Sequence, residues 1–82
     1  MTLFTKVGCE KCEYVKKAVD LDSLGVTEQR LSGDNYEALA ELAYHGLVEQ
    51  AQKTLPILVT GEEEVVYHAG RIRSYLQRQA RA

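Results

Sequence analysis

The sequence predicts an α/β domain in which a four-stranded mixed sheet carries helices on both faces, in the order β-α-β-α-β-β-α. Three observations predict it. Short apolar runs with strand character, at 3–5 and 55–59, alternate with stretches of helical period. A second strand run, Val65, Val66 and Tyr67, follows the first of a pair across a turn signal and reads as a hairpin. The length, 82 residues, leaves room for one core only, so the elements must share one sheet in a single domain over residues 1–82.

In chain order, Leu3, Phe4 and Thr5 form a strand that ends at the turn signal Val7-Gly8. Cys9 then opens a helical stretch reaching about Leu21, with Cys12, Val15 and Val19 spaced to face the core. Glu10 and Glu13 suit the dipole at its start, and Lys16 and Lys17 come later. Residues 22–25 close that helix, and residues 26–31 read as an exposed edge strand. After the turn at 32–34, Asp34 is placed to cap the next helix. Tyr36, Leu39, Ala40, Ala43 and Tyr44 make an apolar stripe on that helix, with Tyr36 and Tyr44 in or near the core, and Gly46 is its stop. Residues 49–53 read as a polar connection. Residues 55–59 carry the strongest strand signal, and 60–63 make the hairpin turn, with Glu62, Glu63 and Glu64 solvated. A final helix over 70–79 places Ile72, Tyr75 and Leu76 on one side, and Arg71, Arg73, Arg78 and Arg81 make it basic. The first βαβ unit predicts parallel strands; the hairpin adds two antiparallel ones.

Composition narrows the function classes. Hydrophobic residues make up 45% and charged residues 27%, a globular rather than a disordered balance. The formal net charge is -2 with both signs interspersed, which argues against nucleic acid or an anionic membrane as the main partner. No apolar run is long enough to cross a bilayer, and Lys6 and Glu10 interrupt the layout of a signal peptide, so a cytoplasmic location is expected.

There are two cysteines, both in the run Gly8-Cys9-Glu10-Lys11-Cys12. A disulfide scaffold spreads its cysteines along the chain, whereas two neighbours in a reducing compartment point to catalysis or metal binding. A thiolate is the reactive form. A helix N-terminus and nearby cations both favour it, and Cys9 has Lys6 before it and Lys11 after it at a strand-to-helix junction. Cys9 is therefore the expected exposed nucleophile. Cys12, deeper on the same side of the first turn, is the resolving thiol. Glu10 opposes thiolate formation and Lys11 assists it. The metal reading remains beside this one. A structural zinc needs four ligands, and the only other soft candidates, His45 and His68, lack finger-like spacing. Two chains could instead supply four thiolates to one iron-sulfur cluster.

Pro56, the only proline, heads a strand, where proline is tolerated. Here a resemblance appears. The segment from Leu3 through Cys12, joined to Gln52-Lys53-Thr54-Leu55-Pro56, resembles the active-site turn and the Gln-Arg-Thr-Val-Pro segment of glutaredoxins in the thioredoxin superfamily. The resemblance covers nearly the whole chain and implies a thioredoxin-like fold. It implies that Pro56 is cis and faces Cys9, and that the backbone of Leu55, with Thr54 beside it, pairs with the cysteine of a bound peptide or glutathione. Lys6, Gln52 and Lys53 would hold the glycyl carboxylate of glutathione.

The sequence departs from the glutaredoxin pattern twice. Glu10-Lys11 replaces the usual Pro-Tyr between the cysteines. Where glutaredoxins carry Gly-Gly followed by Asp for the γ-glutamyl end, this chain has His68-Ala69-Gly70-Arg71-Ile72-Arg73. Gly70 and Arg71 thus mark that end of the expected substrate site, with arginines able to meet a carboxylate but not an ammonium. Related redoxins that serve ribonucleotide reductase, and are reduced by thioredoxin reductase, also place an Arg shortly after a Gly here. The expectation is therefore a monomeric thiol-disulfide oxidoreductase with no tightly bound cofactor or metal. Its substrates would be disulfide-containing proteins or glutathione mixed disulfides, and its reductant glutathione or a thioredoxin-type reductase. His68, near the end of the last strand, is expected to be a surface histidine, with a pH-dependent group near the site as the alternative, and Tyr14 is expected to pack on the first helix.

Overall fold

The computed structural model describes residues 1–80, so Arg81 lies outside the described residues. Four strands, β1 (Thr2–Thr5), β2 (Thr27–Arg30), β3 (Ile57–Val59) and β4 (Val65–Tyr67), form one mixed sheet in the order β2-β1-β3-β4. β1 runs parallel to β2, as the βαβ reading required, and antiparallel to β3, which pairs antiparallel with β4. The helices are α1 (Glu10–Ala18), α2 (Tyr36–Tyr44), α3 (Val48–Lys53) and α4 (Ala69–Ala80).

Strand alternation divides the core into two layers. Leu3 and Leu58 point to one face, where Val15 of α1 and Ile72 and Leu76 of α4 cover them. Phe4, Ile57 and Val59 point to the other, against Leu42 of α2, Leu47, and Ala51 of α3. The edge position of β2 agrees with its polar sequence, of which no residue is fully buried. Thr5, itself buried, donates to Glu28 on β2 at 2.6 Å, and Lys16 of α1 reaches the same carboxylate at 3.2 Å.

Five expectations are corrected. The first helix ends at Ala18 rather than near Leu21: Val19 has extended backbone and is half-buried against the core, and residues 21–25 form a separate turn. The connection over 49–53 is helical, giving the order β-α-β-α-α-β-β-α. α3 is six residues long and mostly polar, too short to show a period, and is held by the burial of Leu47 and Ala51 against the sheet. The cap of α2 is Asn35, whose side-chain oxygen accepts from the Ala38 amide at 3.1 Å while its amide nitrogen donates to the Arg30 carbonyl at 2.8 Å. Asp34 instead accepts from the Ser32 hydroxyl at 2.7 Å, which holds its carboxyl below the ordinary range.

The fourth and fifth corrections concern the buried face of α2. Ala38 and Leu42 face the core, whereas Tyr36 is 76%, Tyr44 79% and Leu39 41% exposed, and Ala40 and Ala43 are exposed. Both tyrosines thus leave the core they were expected to join. Only Glu37 and Glu41 of this helix are polar, so two apolar stripes compete and periodicity alone does not choose. The helix end chooses. Gly46, at φ +69, donates to the Ala43 carbonyl and the Leu47 amide to the Leu42 carbonyl, a Schellman closure that packs Leu42 and Leu47 into the same core. Gln29 of β2 donates to Glu37 at 3.3 Å and to Glu41 at 3.5 Å, seating those carboxylates over the sheet edge.

Candidate active site

The register of the sheet assembles one end of the molecule. Phe4 pairs with Ile57 and with Gln29, and Ile57 pairs with Tyr67. The chain therefore leaves β1, β2 and β4, and approaches β3, at the same edge. That edge receives Lys6, Leu31, Leu55 and His68, with the residues that follow Lys6 into α1.

Gly8, at φ +75, makes the left-handed turn that brings the chain from β1 into α1. Cys9 caps the helix: its backbone is extended, and its sulfur accepts a hydrogen bond from the Cys12 amide at 3.2 Å. An N-cap normally needs a side-chain acceptor for an unpaired amide of the first turn, and here sulfur fills that place. Glu10 and Glu13 lie in the same turn.

The two thiols differ in depth as their spacing predicts, and Cys12 faces the core as expected, yet Cys9 is more covered than expected. Cys9 is 8% exposed and Cys12 is 0%. The expectation of an exposed Cys9 is thus corrected. The Leu55 carbonyl stands against its sulfur, with the thiol donating at 4.0 Å. For Cys12, burial and the hydrogen bond to Cys9 push the thiol up from 9.0 to about 12, so it is held neutral.

Leu55-Pro56 is cis, as the resemblance implies, and Pro56 is buried directly before β3. The β1–β3 register carries this peptide back toward Cys9. A cleft of about 480 Å³ opens there, with Cys9 among its lining residues. Lys6, Lys11 and Lys53 give it positive charge, Thr54 and Leu55 form one wall, and Glu10 and His68 complete it.

Gln52 does not line this cleft; it lies in an adjoining groove that shares Lys6 and Leu55. Gly70 and Arg71 line a further cleft along α4 that shares only His68 with the first. Arg73 lines neither of these clefts; its Nη1 donates to the Tyr14 hydroxyl at 2.6 Å with its guanidinium 5.4 Å from the Tyr14 ring centroid, and Tyr14 lines a separate cleft with Cys9, Glu10 and Glu13. His68 stands beside the site. It is exposed, as expected, but it sits at φ +71 where β4 turns into α4, and it joins two clefts. Its position at the end of the last strand signals a place near the site; that it joins two clefts comes from the β3–β4 register.

Cys9 and Cys12, with His68 in the same cleft as Cys9, are the soft donors this end of the molecule offers to a metal. Among the described residues, no three His, Cys, Asp or Glu side chains gather as a ligand set. No helix among the described residues is long and apolar enough to cross a membrane. No family model matches this chain, and no curated protein or solved structure was found to match it.

Proposed function

We propose that this chain is a thiol-disulfide oxidoreductase of glutaredoxin type on a thioredoxin-like fold, working through the Cys9-Cys12 dithiol. The observation that carries the reading is the N-capping sulfur of Cys9, which receives the Cys12 amide and stands against the Leu55 carbonyl beside cis Pro56. A backbone N–H aimed at a sulfur stabilises that sulfur as an anion, the form that attacks disulfides. An extended substrate segment would pair with the Leu55 backbone, as an added strand does.

The electron count closes on the substrate. The Cys9 thiolate attacks one sulfur of a substrate disulfide, that S–S bond breaks, and the other sulfur leaves as a thiolate and takes up a proton. A mixed disulfide to Cys9 results. Cys12 then loses its proton and attacks the Cys9 sulfur, so the second substrate sulfur leaves as a thiol and a Cys9-Cys12 disulfide forms. The substrate gains two electrons and the dithiol loses two. A thiol reductant, glutathione or a thioredoxin-type reductase, reverses the oxidation. Lys6 and Lys11 add positive charge beside the reacting sulfur, and Pro56 shapes the groove.

The test is to oxidise the protein and supply each reductant system separately, then follow reduction of insulin and of a glutathione mixed disulfide. Turnover with one system, abolished in Cys9→Ser, supports the reading and names the reductant. Failure of both to reduce a Cys9-Cys12 disulfide removes it. Metal analysis of protein purified without oxygen separates the alternative: stoichiometric iron or zinc, lost in Cys9→Ser, would make the pair a metal or cluster site.

A further inference from the structure

The dithiol cleft does not stand alone. It shares Lys6 and Leu55 with a groove of about 250 Å³ floored by Leu31, Leu39, Leu42, Val48 and Ala51 between α2 and α3, and shares Cys9 and Glu10 with a separate cleft of about 430 Å³ that also carries Glu13 and Lys17. On the opposite side it shares His68 with the cleft along α4, of about 560 Å³, where Val66 and Tyr75 form an apolar floor and Arg71, Ser74 and Arg78 a polar rim. Each flanking groove thus meets the dithiol cleft at shared lining residues, His68 on one side and Lys6 and Leu55 on the other.

Charge along this trough departs from that of the whole chain. Lys6, Lys11, Lys53, Arg71 and Arg78 line it against one carboxylate, Glu10. The chain as a whole carries a formal net charge of -2. A positive strip on an acidic protein concentrates oppositely charged partners where the strip lies. Its length on both sides of Cys9, and its apolar end at Leu39 and Val48, exceed what a small disulfide occupies and suit a chain with side chains of different character.

We infer that the trough selects a polypeptide disulfide whose segment lays acidic side chains over Arg71 and Arg78 and an apolar side chain between α2 and α3. The inference rests on the oxidoreductase reading above and assigns it a substrate class. The chemistry at the centre is unchanged: the peptide disulfide is reduced to two thiols as Cys9 and Cys12 become a disulfide.

The test uses the reduced full chain and two short peptides, each closed by one disulfide and otherwise identical, flanked on the same side by Asp or by Lys. Rates of Cys9-Cys12 oxidation are followed at low and high salt, with bis(2-hydroxyethyl) disulfide as the uncharged small substrate. The Asp peptide should react at least about tenfold faster than the Lys peptide at low salt, and the gap should close at high salt. Arg78→Glu should narrow or reverse the ranking. Equal rates for the two peptides, with the small disulfide also reduced, overturn this inference and leave the oxidoreductase reading standing. If no disulfide oxidises the pair, both fall. A single-stranded oligonucleotide that inhibits the Asp peptide better than a disulfide-free acidic peptide does would overturn the assignment to a polypeptide.

Discussion

The backbone amide of Cys12 donates to the sulfur of Cys9 at 3.2 Å, so the second cysteine of the pair supports the first before any substrate arrives. The same helical turn that presents this amide buries the Cys12 side chain completely. One cysteine thus sits at the floor of a cleft and the other behind it, an arrangement with two distinct consequences for substitution.

Cys9→Ser should reduce disulfide turnover to background. Cys12→Ser should stop at the mixed disulfide, because attack on the substrate needs only Cys9 while release needs a second thiol. Mass spectrometry of each variant mixed with a peptide disulfide checks this: a stable adduct on Cys12→Ser and none on Cys9→Ser. An adduct on Cys12 instead would reverse the assigned roles.

Burial, and then the hydrogen bond to Cys9, raise the Cys12 thiol from 9.0 to about 12. Below pH 9 the thiol is protonated in folded and unfolded chains alike, and the folded preference for the neutral form is fully present. Between about pH 9 and 12 the unfolded chain releases this proton and the folded one keeps it, so the contribution to stability is lost as pH rises. In chemical denaturation of the reduced protein, the stability difference between wild type and Cys12→Ala should be constant up to pH 9 and then shift against wild type. A difference that stays flat through pH 11 would contradict it.

The orientation of α2 predicts opposite responses from neighbouring apolar residues. Leu42→Ala should cost about 2–5 kcal/mol, through lost burial and a cavity beside Phe4 and Leu47. Tyr44→Ser should stay within about 0.5 kcal/mol, because the ring is 79% exposed. Urea titrations of the two variants measure both. The reverse ranking would return the helix to the stripe that its sequence first suggests.

At the start of α2, Asn35→Ala should cost about 1 kcal/mol, and Asp34→Ala distinctly less. Asn35 caps the Ala38 amide and also ties the helix to the Arg30 carbonyl, whereas Asp34 bonds only the exposed Ser32 hydroxyl. Thermal unfolding of the pair of variants at neutral pH resolves the difference.

The fold class, the strands at Leu3 to Thr5 and Ile57 to Val59, the parallel first unit and the hairpin were legible in the sequence, because each follows from a local pattern. Short continuous apolar runs mark β1 and β3, and a turn signal separates β3 from β4. The relative depth of Cys9 and Cys12 was legible for the same reason, since three residues on a helix leave both side chains on one face. Other features depend on contacts between distant segments. Which apolar stripe of α2 is buried was decided by the Leu42–Leu47 closure and by Gln29 reaching from β2, and α3 exists because Leu47 and Ala51 meet the sheet. Cys9 is 8% exposed, and the carbonyl that stands against its sulfur belongs to Leu55, 46 residues away in sequence. His68 reaches the dithiol cleft, and Arg71 and Arg73 do not, because the β3–β4 register and the packing of α4 set their directions. A local pattern fixes what an element is and which residues share a face; only the packed chain determines which of two similar faces turns inward and what stands over a reactive sulfur.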